Sequence, residues 1–108
     1  MTVNELIRHA SLTACVLADG EREITGVYCG DLLSWVMGRA TAGDAWITIM
    51  SNRNILAVAT LADTACVILA ENVSPDEGVA QLAREKGINL LLSPVGTYET
   101  ACRLHACL

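Results

Sequence analysis

Apolar and polar positions change their rhythm most clearly between Trp46 and Ala62, where Trp-Ile-Thr-Ile-Met is followed by Ser-Asn-Arg-Asn and then by Ile-Leu-Ala-Val-Ala-Thr-Leu-Ala. Ile47, Thr48, Ile49 and Met50 form the short continuous run that a parallel sheet buries on both faces, and Ser51-Asn52-Arg53-Asn54 is the turn that closes it. The helix expected from about Arg53 to Ala62 carries Ile55, Leu56, Ala57, Val58, Ala59 and Leu61, apolar nearly all round. Such a helix is buried on more than one side.

The same reading extends in both directions. Thr2 with Glu5 forms a capping-box pattern ahead of Leu6, Ile7 and Ala10, so a short helix opens the chain. Thr13 to Leu17 and Ile24 to Cys29 read as strands, and Asp19-Gly20 between them predicts a tight turn and a two-stranded opening. Gly30-Asp31 separates the second strand from a helix capped by Asp31, whose inner face is Leu32, Leu33 and Val36, with Trp35 and Met37 pointing elsewhere. Gly38 or Gly43 stops that helix. Beyond Asp63-Thr64, Cys66 to Leu69 is a further parallel-type strand. Ser74-Pro75-Asp76-Glu77 has a capping residue, Pro at the first helical position and Glu at the third, which predicts a helix start with Val79, Leu82 and Ala83 inward. That helix ends at Glu85-Lys86-Gly87. Ile88 to Leu92 is the last strand, and Thr97 caps a final helix with Ala101, Leu104, His105 and Leu108 on one stripe. Strands and helices alternate over the last two thirds, which implies right-handed crossovers and one three-layer α/β domain over residues 1–108. Its sheet is mostly parallel, has about five strands and is flanked by helices.

Composition narrows the function. With 53% apolar residues, 18% charged, 4% aromatic and no Phe, the 108-residue chain needs an aliphatic core and is not disordered. So much apolar surface on so small a body leaves some of it uncovered in a monomer, and a homodimer is expected, with Trp35, Met37 and Leu56 as candidate contact residues. A net charge of −5 with a single lysine, Lys86, gives no basic footprint for nucleic acid. Ile55 to Ala70 is too short to span a membrane and carries Asp63. The N-terminus lacks the basic start and apolar run of a secretory signal, so Cys15, Cys29, Cys66, Cys102 and Cys107 are read as reduced thiols of a cytoplasmic protein.

Ligands of parallel sheets bind beyond the carboxyl ends of the strands, and here those ends carry Gly30, Asp31, Asn52, Arg53, Glu71 and Asn72. One guanidinium, several amides and nearby helix N-termini could cradle a small anion such as a phosphate or a nucleotide. The same residue types are ordinary caps and turns. A lone arginine at the start of an apolar helix is poorly placed for the helix dipole, so Arg53 calls for a negative partner: Glu71 or Asp31 in a structural ion pair, or an anionic ligand. Cys102, His105 and Cys107 have metal-ligand types, but at 100° per residue one straight helix cannot aim all three at one ion, and no metal or other cofactor is expected. His105 reads as a core or interface histidine and His9 as a surface one. No nucleophile elbow and no phosphate loop ending in Lys-Ser/Thr is present, so nothing in the sequence names a reaction and no catalytic residue is expected.

From Ile24-Thr25-Gly26 through Gly30-Asp31-Leu32-Leu33-Ser34, then Trp46-Ile47-Thr48-Ile49 with Asn52-Arg53-Asn54-Ile55, and on through Val67-Ile68-Leu69 and Gly87-Ile88, the chain resembles the DRTGG domain. That family is similar in fold to the N-terminal domain of HPr kinase/phosphorylase and occurs inside CBS-domain pyrophosphatases, where it forms a dimer contact. It also occurs beside some phosphotransacetylases and alone near redox and signalling proteins. The resemblance implies a non-catalytic regulatory or oligomerising module, with a protein partner from a redox or signalling system. Arg53 matches the family's arginine, Asn52 replaces the preceding Asp, and Ala70-Glu71-Asn72 stands where Thr-Gly-Gly follows the next strand. Glycines there would let backbone approach a ligand, and Glu71 instead brings negative charge. Three functions follow: a dimeric sensing or docking module, a nucleotide or anion sensor at the strand-end edge, and, from the cysteines alone, a redox-associated enzyme subunit.

Overall fold

One five-stranded sheet, in the order β1-β5-β4-β3-β2, organises all 108 residues of the computed structural model. In chain order the elements are α1 (Val3–His9), β1 (Thr13–Val16), β2 (Gly26–Cys29), α2 (Leu33–Arg39), β3 (Asp44–Thr48), α3 (Asn54–Ala62), β4 (Cys66–Leu69), α4 (Val79–Lys86), β5 (Leu90–Leu92) and α5 (Thr97–Cys107). Strands β2, β3, β4 and β5 are parallel, and β1 joins β5 antiparallel. Every residue of β3 and of β4 is buried, and β4 reads as the unbroken apolar run of a doubly covered strand; β3 lies earlier than the Ile47–Met50 run, starting at Asp44, with Met50 beyond its end and Ile49 exposed.

Side chains alternate between two cores, one on each face of the sheet. Ala45 and Ile47 of β3 and Ile68 of β4 meet Val3, Leu6 and Leu104 of α1 and α5 on one side. Trp46, Val67, Leu69 and Leu90 meet Val36, Ile55, Leu56, Val79 and Ala83 of α2, α3 and α4 on the other. Each large apolar side chain enclosed in this way contributes roughly 1.5–3 kcal/mol relative to exposure. Trp46, fully buried, also donates its indole N–H to the Gly30 carbonyl at 2.9 Å, so β3 holds the end of the neighbouring edge strand β2. No helix is long and apolar enough to cross a membrane.

The structure departs from the sequence reading at several places, each for a long-range reason. β1 and β2 form no hairpin but lie at opposite edges of the sheet. The segment between them pairs with the N-terminus instead, through Val3 N–H to Arg22 O, Ile24 N–H to Met1 O and a Thr2–Glu23 bridge, while Asn89 ties the end of β1 to β5. The Ser74–Glu77 pattern does not start a helix. Its Asp76 carboxylate accepts from Ser51 Oγ at 2.8 Å and its N–H donates to Ser51 O, binding the segment to the loop after β3, and α4 begins only after Gly78 turns through φ 85°. Helix α2 runs on past Gly38. Asp31 does not cap α2 and Thr97 does not cap α5: the residues before these helices are Leu32 and Gly96, neither with a side-chain cap. The capping box at Thr2 and Glu5 does form, and the Glu5 carboxylate, accepting from the Thr2 N–H and from the Thr2 hydroxyl, is held below its usual range.

Leu56 is fully enclosed between α3 and the sheet, so it has no surface to offer a second molecule. Trp35 and Met37 are exposed at 52% and 50%. Leu32, expected inward, is exposed, as are His105 and Leu108 of the expected α5 stripe.

Candidate functional site

Because β2 to β5 are parallel, the residues following them share one rim, and Gly30, Asp31, Asn52, Arg53, Glu71 and Asn72 all lie on it. Most of their polar groups are already used. Asp31 Oδ1 accepts from Thr48 Oγ1 at 2.8 Å and from Ile49 N–H at 2.9 Å, so this carboxylate finishes the end of β3. Gly30 accepts the Trp46 indole, and a Cβ on it would sit 2.9 Å from the Tyr28 ring, which explains the glycine by packing. Asn52 Oδ1 accepts from Asn54 N–H at 2.9 Å, an Asx turn leading into α3.

Glu71 and Asn72 have φ of 61° and 58°, two consecutive non-glycine residues in the left-handed region. Glycine enters that conformation at no steric cost, so the glycine pair that the resemblance places here would be unstrained. Here Glu71 instead sets its carboxylate on the first turn of α5, accepting from Thr97 N–H at 2.8 Å, while the backbone N–H groups of Glu71 and Asn72 donate to Val95 O and Ser93 O. A helix N-terminus that could face an external anion is thus occupied by the protein's own carboxylate.

Arg53 pairs with neither Glu71 nor Asp31; the ion pairs of the chain are Met1–Glu23, Arg22–Asp63 and Glu99–Arg103. It lines a shallow groove of about 280 Å³ between α3 and α4 with Glu77, Gln81 and Glu85. Asn72 lines a different depression, of about 160 Å³, with Ser93 and Pro94. The six rim residues therefore share an edge but no single concavity.

The cysteines are dispersed. Burial pushes the Cys66 thiol up to about 12, and burial together with the Asp31 charge raises Cys29. Cys107 Sγ donates to Arg103 O at 3.2 Å, and Cys102 is exposed beside Tyr98, whose hydroxyl it raises. No three His, Cys, Asp or Glu side chains come together as a metal would require.

Sequence reasoning passed over the free edge of β2. This strand bonds only to β3, so its outer backbone donors and acceptors have no partner in the chain. On α2, Leu33 and Ala40 close the core on one flank, whereas Leu32, Trp35 and Arg39 lie on the other, with the Arg39 guanidinium 3.7 Å over the Trp35 ring. On the opposite face α5 packs beneath β2 and β3; Arg103 on one flank reaches Ala10 O of the α1 end, and Tyr98 and His105 are left on the outer flank. Leu32, Trp35, Val27, Tyr98 and Leu108, five of the nine exposed large apolar side chains, border this one edge, so the uncovered apolar surface is concentrated rather than scattered.

A family model for the DRTGG domain matches residues 1–107. No curated protein gives a significant match. Among solved structures, the chain is similar to the CBS and DRTGG domains of the regulatory region of Clostridium perfringens pyrophosphatase, solved in complex with the activator diadenosine tetraphosphate, at a TM-score of 0.72 and 13% identity. The match covers 95% of this chain and 45% of that one, so the present chain spans less than half of its neighbour and the likeness is one of fold. A family match over nearly the whole length, on the same three-layer sheet, makes this chain a member of the DRTGG domain family.

Proposed function

We propose that this DRTGG domain is a non-catalytic regulatory and interaction module that works as a homodimer. The observation that carries the reading is the free edge of β2, an open backbone ladder bordered on both layers by Leu32, Trp35, Val27, Tyr98 and Leu108. A second copy brings the same ladder and the same two flanking helices about a two-fold axis, covering backbone and apolar flanks together. A lone peptide strand would cover the backbone and leave the flanks wet. Trp35 and Arg39, stacked on each other, supply the aromatic and guanidinium anchors typical of such contacts. Light scattering at about 50 µM is expected to give twice the 11.5 kDa protomer mass, and Trp35→Asp is expected to give the single mass. A wild-type monomer at that concentration contradicts the dimer.

A second reading, a sensor of a nucleotide or another anion at the carboxyl rim, is favoured by one feature: Arg53 has no ion-pair partner at the start of α3. A structural neighbour whose regulatory region was solved with diadenosine tetraphosphate keeps nucleotides in the screen. Opposing it, Glu71 occupies the α5 N-terminus and Glu77 and Glu85 share the Arg53 groove. Thermal-shift measurements with nucleotides, phosphate and acyl phosphates separate the two readings. A shift that disappears in Arg53→Ala supports the sensor, and no shift, or one retained in the variant, removes it.

A further inference from the structure

Where the start of β2 meets the end of α5 there is a depression of about 290 Å³, lined by Met1, Ile24, Thr25, Gly26, Cys107 and Leu108. Alone among the depressions of the chain it is walled mainly by apolar residues. At the far end of the same helix, in the first turn of α5, stands Tyr98, at 84% the most exposed large apolar side chain of the protein. A hole and a knob thus lie at opposite ends of one layer, both along the free edge of β2.

Given the dimer proposed above, on which this inference rests, two identical strands related by a two-fold axis pair antiparallel, because a parallel ladder offsets its partners by one residue and is not symmetric. Gly30 N–H donates to Ile47 O, so by alternation the N–H and C=O groups of Val27 and Cys29 point away from β3 and are free to pair. An axis through the middle of β2 sets the carboxyl end of each copy against the amino end of the other. Helix α5 runs antiparallel to β2, with its first turn at the Glu71 rim and its last residues beside Gly26. The nine residues from Tyr98 to Cys107 span about 13.5 Å of helix and Gly26 to Cys29 about 10 Å of strand, so one axis serves both. Tyr98, Ala101, His105 and Leu108, spaced three, four and three, form a stripe that meets its own reverse, Tyr98 opposite Leu108 of the second copy and the small Ala101 opposite His105. On the other layer the same axis brings Arg39, at the amino end of α2, to Asp31, at the carboxyl end. Within one protomer Arg39 has no ion pair and Asp31 Oδ2 no hydrogen bond.

We propose that Tyr98 of each copy fills the depression at Gly26 and Leu108 of the other, while Arg39 of each copy pairs with Asp31 of the other on the opposite layer. The phenol ring leaves water for an apolar wall, and Thr25 Oγ1, which donates to Ala42 O at 3.2 Å, keeps a lone pair for its hydroxyl. A small apolar ligand would fill the depression and leave Tyr98 wet. The reverse alignment of the two copies would set Arg39 beside Arg39 and Asp31 beside Asp31, so charge and shape select the same arrangement.

The test is photocross-linking of the intact chain with p-benzoylphenylalanine in place of Tyr98, mixed at about 50 µM with isotope-labelled wild-type chain so that products between copies separate by mass. Cross-links are expected to labelled peptides that contain Met1, Ile24 to Gly26, or Cys107 and Leu108. In sedimentation equilibrium Tyr98→Ala is expected to weaken the dimer about tenfold or more, and to leave the melting of the dilute protomer unchanged because the side chain is exposed there. Asp31→Asn, which keeps Oδ1 as an acceptor, and Arg39→Gln are each expected to weaken the dimer severalfold, and the double variant no further than the more severe of the two. A dimer whose cross-links fall elsewhere, whose affinity survives Tyr98→Ala, or whose Asp31 and Arg39 losses are additive overturns this arrangement and leaves the dimer itself intact. A wild-type monomer at that concentration overturns both.

Discussion

The two rims of the sheet differ in how far their polar groups are spent. At the carboxyl rim, where parallel sheets place their ligands, Asp31, Asn52, Glu71 and Asp76 all bond to the protein's own backbone or hydroxyls. At the amino rim, Asn89 and Arg22 are spent within the fold, Thr64 Oγ1 is enclosed with no partner, and Lys86 and one oxygen of Asp19 are left without an ion-pair or hydrogen-bond partner at the surface. Position on the sheet thus marks where turns and caps collect, whereas availability for a ligand depends on which of those groups the fold has already consumed.

Variants can break this contrast in order of expected effect. Asn89→Leu removes a buried amide that makes four hydrogen bonds, leaving the Ala18 and Asp19 N–H groups and the Ala65 carbonyl without this partner, and is expected to cost about 3 kcal/mol or more in urea unfolding. Asp31→Ala, at the other rim, removes an acceptor shared by the Thr48 hydroxyl and Ile49 N–H and is expected to cost about 1–2 kcal/mol. Glu71 sharpens the comparison through a pair. Glu71→Ala loses the bond to Thr97 N–H and keeps a left-handed non-glycine residue, for a cost of about 1 kcal/mol; Glu71→Gly loses the same bond and relieves the backbone, and is expected near zero. Equal effects of the two would show that backbone strain at this position contributes nothing. Arg53→Ala, with no ion partner to strand, is expected to change stability by less than about 0.5 kcal/mol.

A further expected outcome concerns alkaline pH and the core. The Cys66 thiol is raised by burial from an ordinary 9.0 to about 12, so its protonated form is favoured by folding. Its contribution is complete below about pH 9 and declines as pH rises from 9 towards 12, by about 1.4 kcal/mol per unit within that window. Cys66→Ala is expected to flatten that limb of the stability curve in denaturant titrations across the same range, and an unaltered slope would contradict it.

Much of the architecture was legible in the sequence because β4 and the Ile47–Thr48 part of β3 are buried runs followed by polar turns, although β3 begins earlier, at Asp44, and α3 leaves Leu61 exposed and is not buried all round. The alternation of strand and helix after Gly30 then leaves few topologies. What was not legible rests on partners far away in sequence. Asp19-Gly20 is a turn, but a hairpin would have needed β1 and β2 to be neighbours, and β1 finds β5 instead. Ser74, Asp76 and Thr97 have capping chemistry, yet Ser51 and Glu71 determine what their neighbourhoods do. Leu56 reads as a contact residue on an all-apolar helix, and only the packing of α2 against α3 and of α3 on the sheet shows that its face is closed. The six rim residues were placed on one edge by topology alone, and whether their atoms were free was beyond reach of a one-dimensional pattern.

Hydrogen exchange of the Gly26–Cys29 amides at about 0.1 µM and about 100 µM protein asks whether two copies meet at the outer edge of β2. The protection of the outward-facing amides among them is expected to rise with concentration in the wild type and to stay constant in Trp35→Asp. Protection independent of concentration, with amides elsewhere gaining it instead, would contradict the claim.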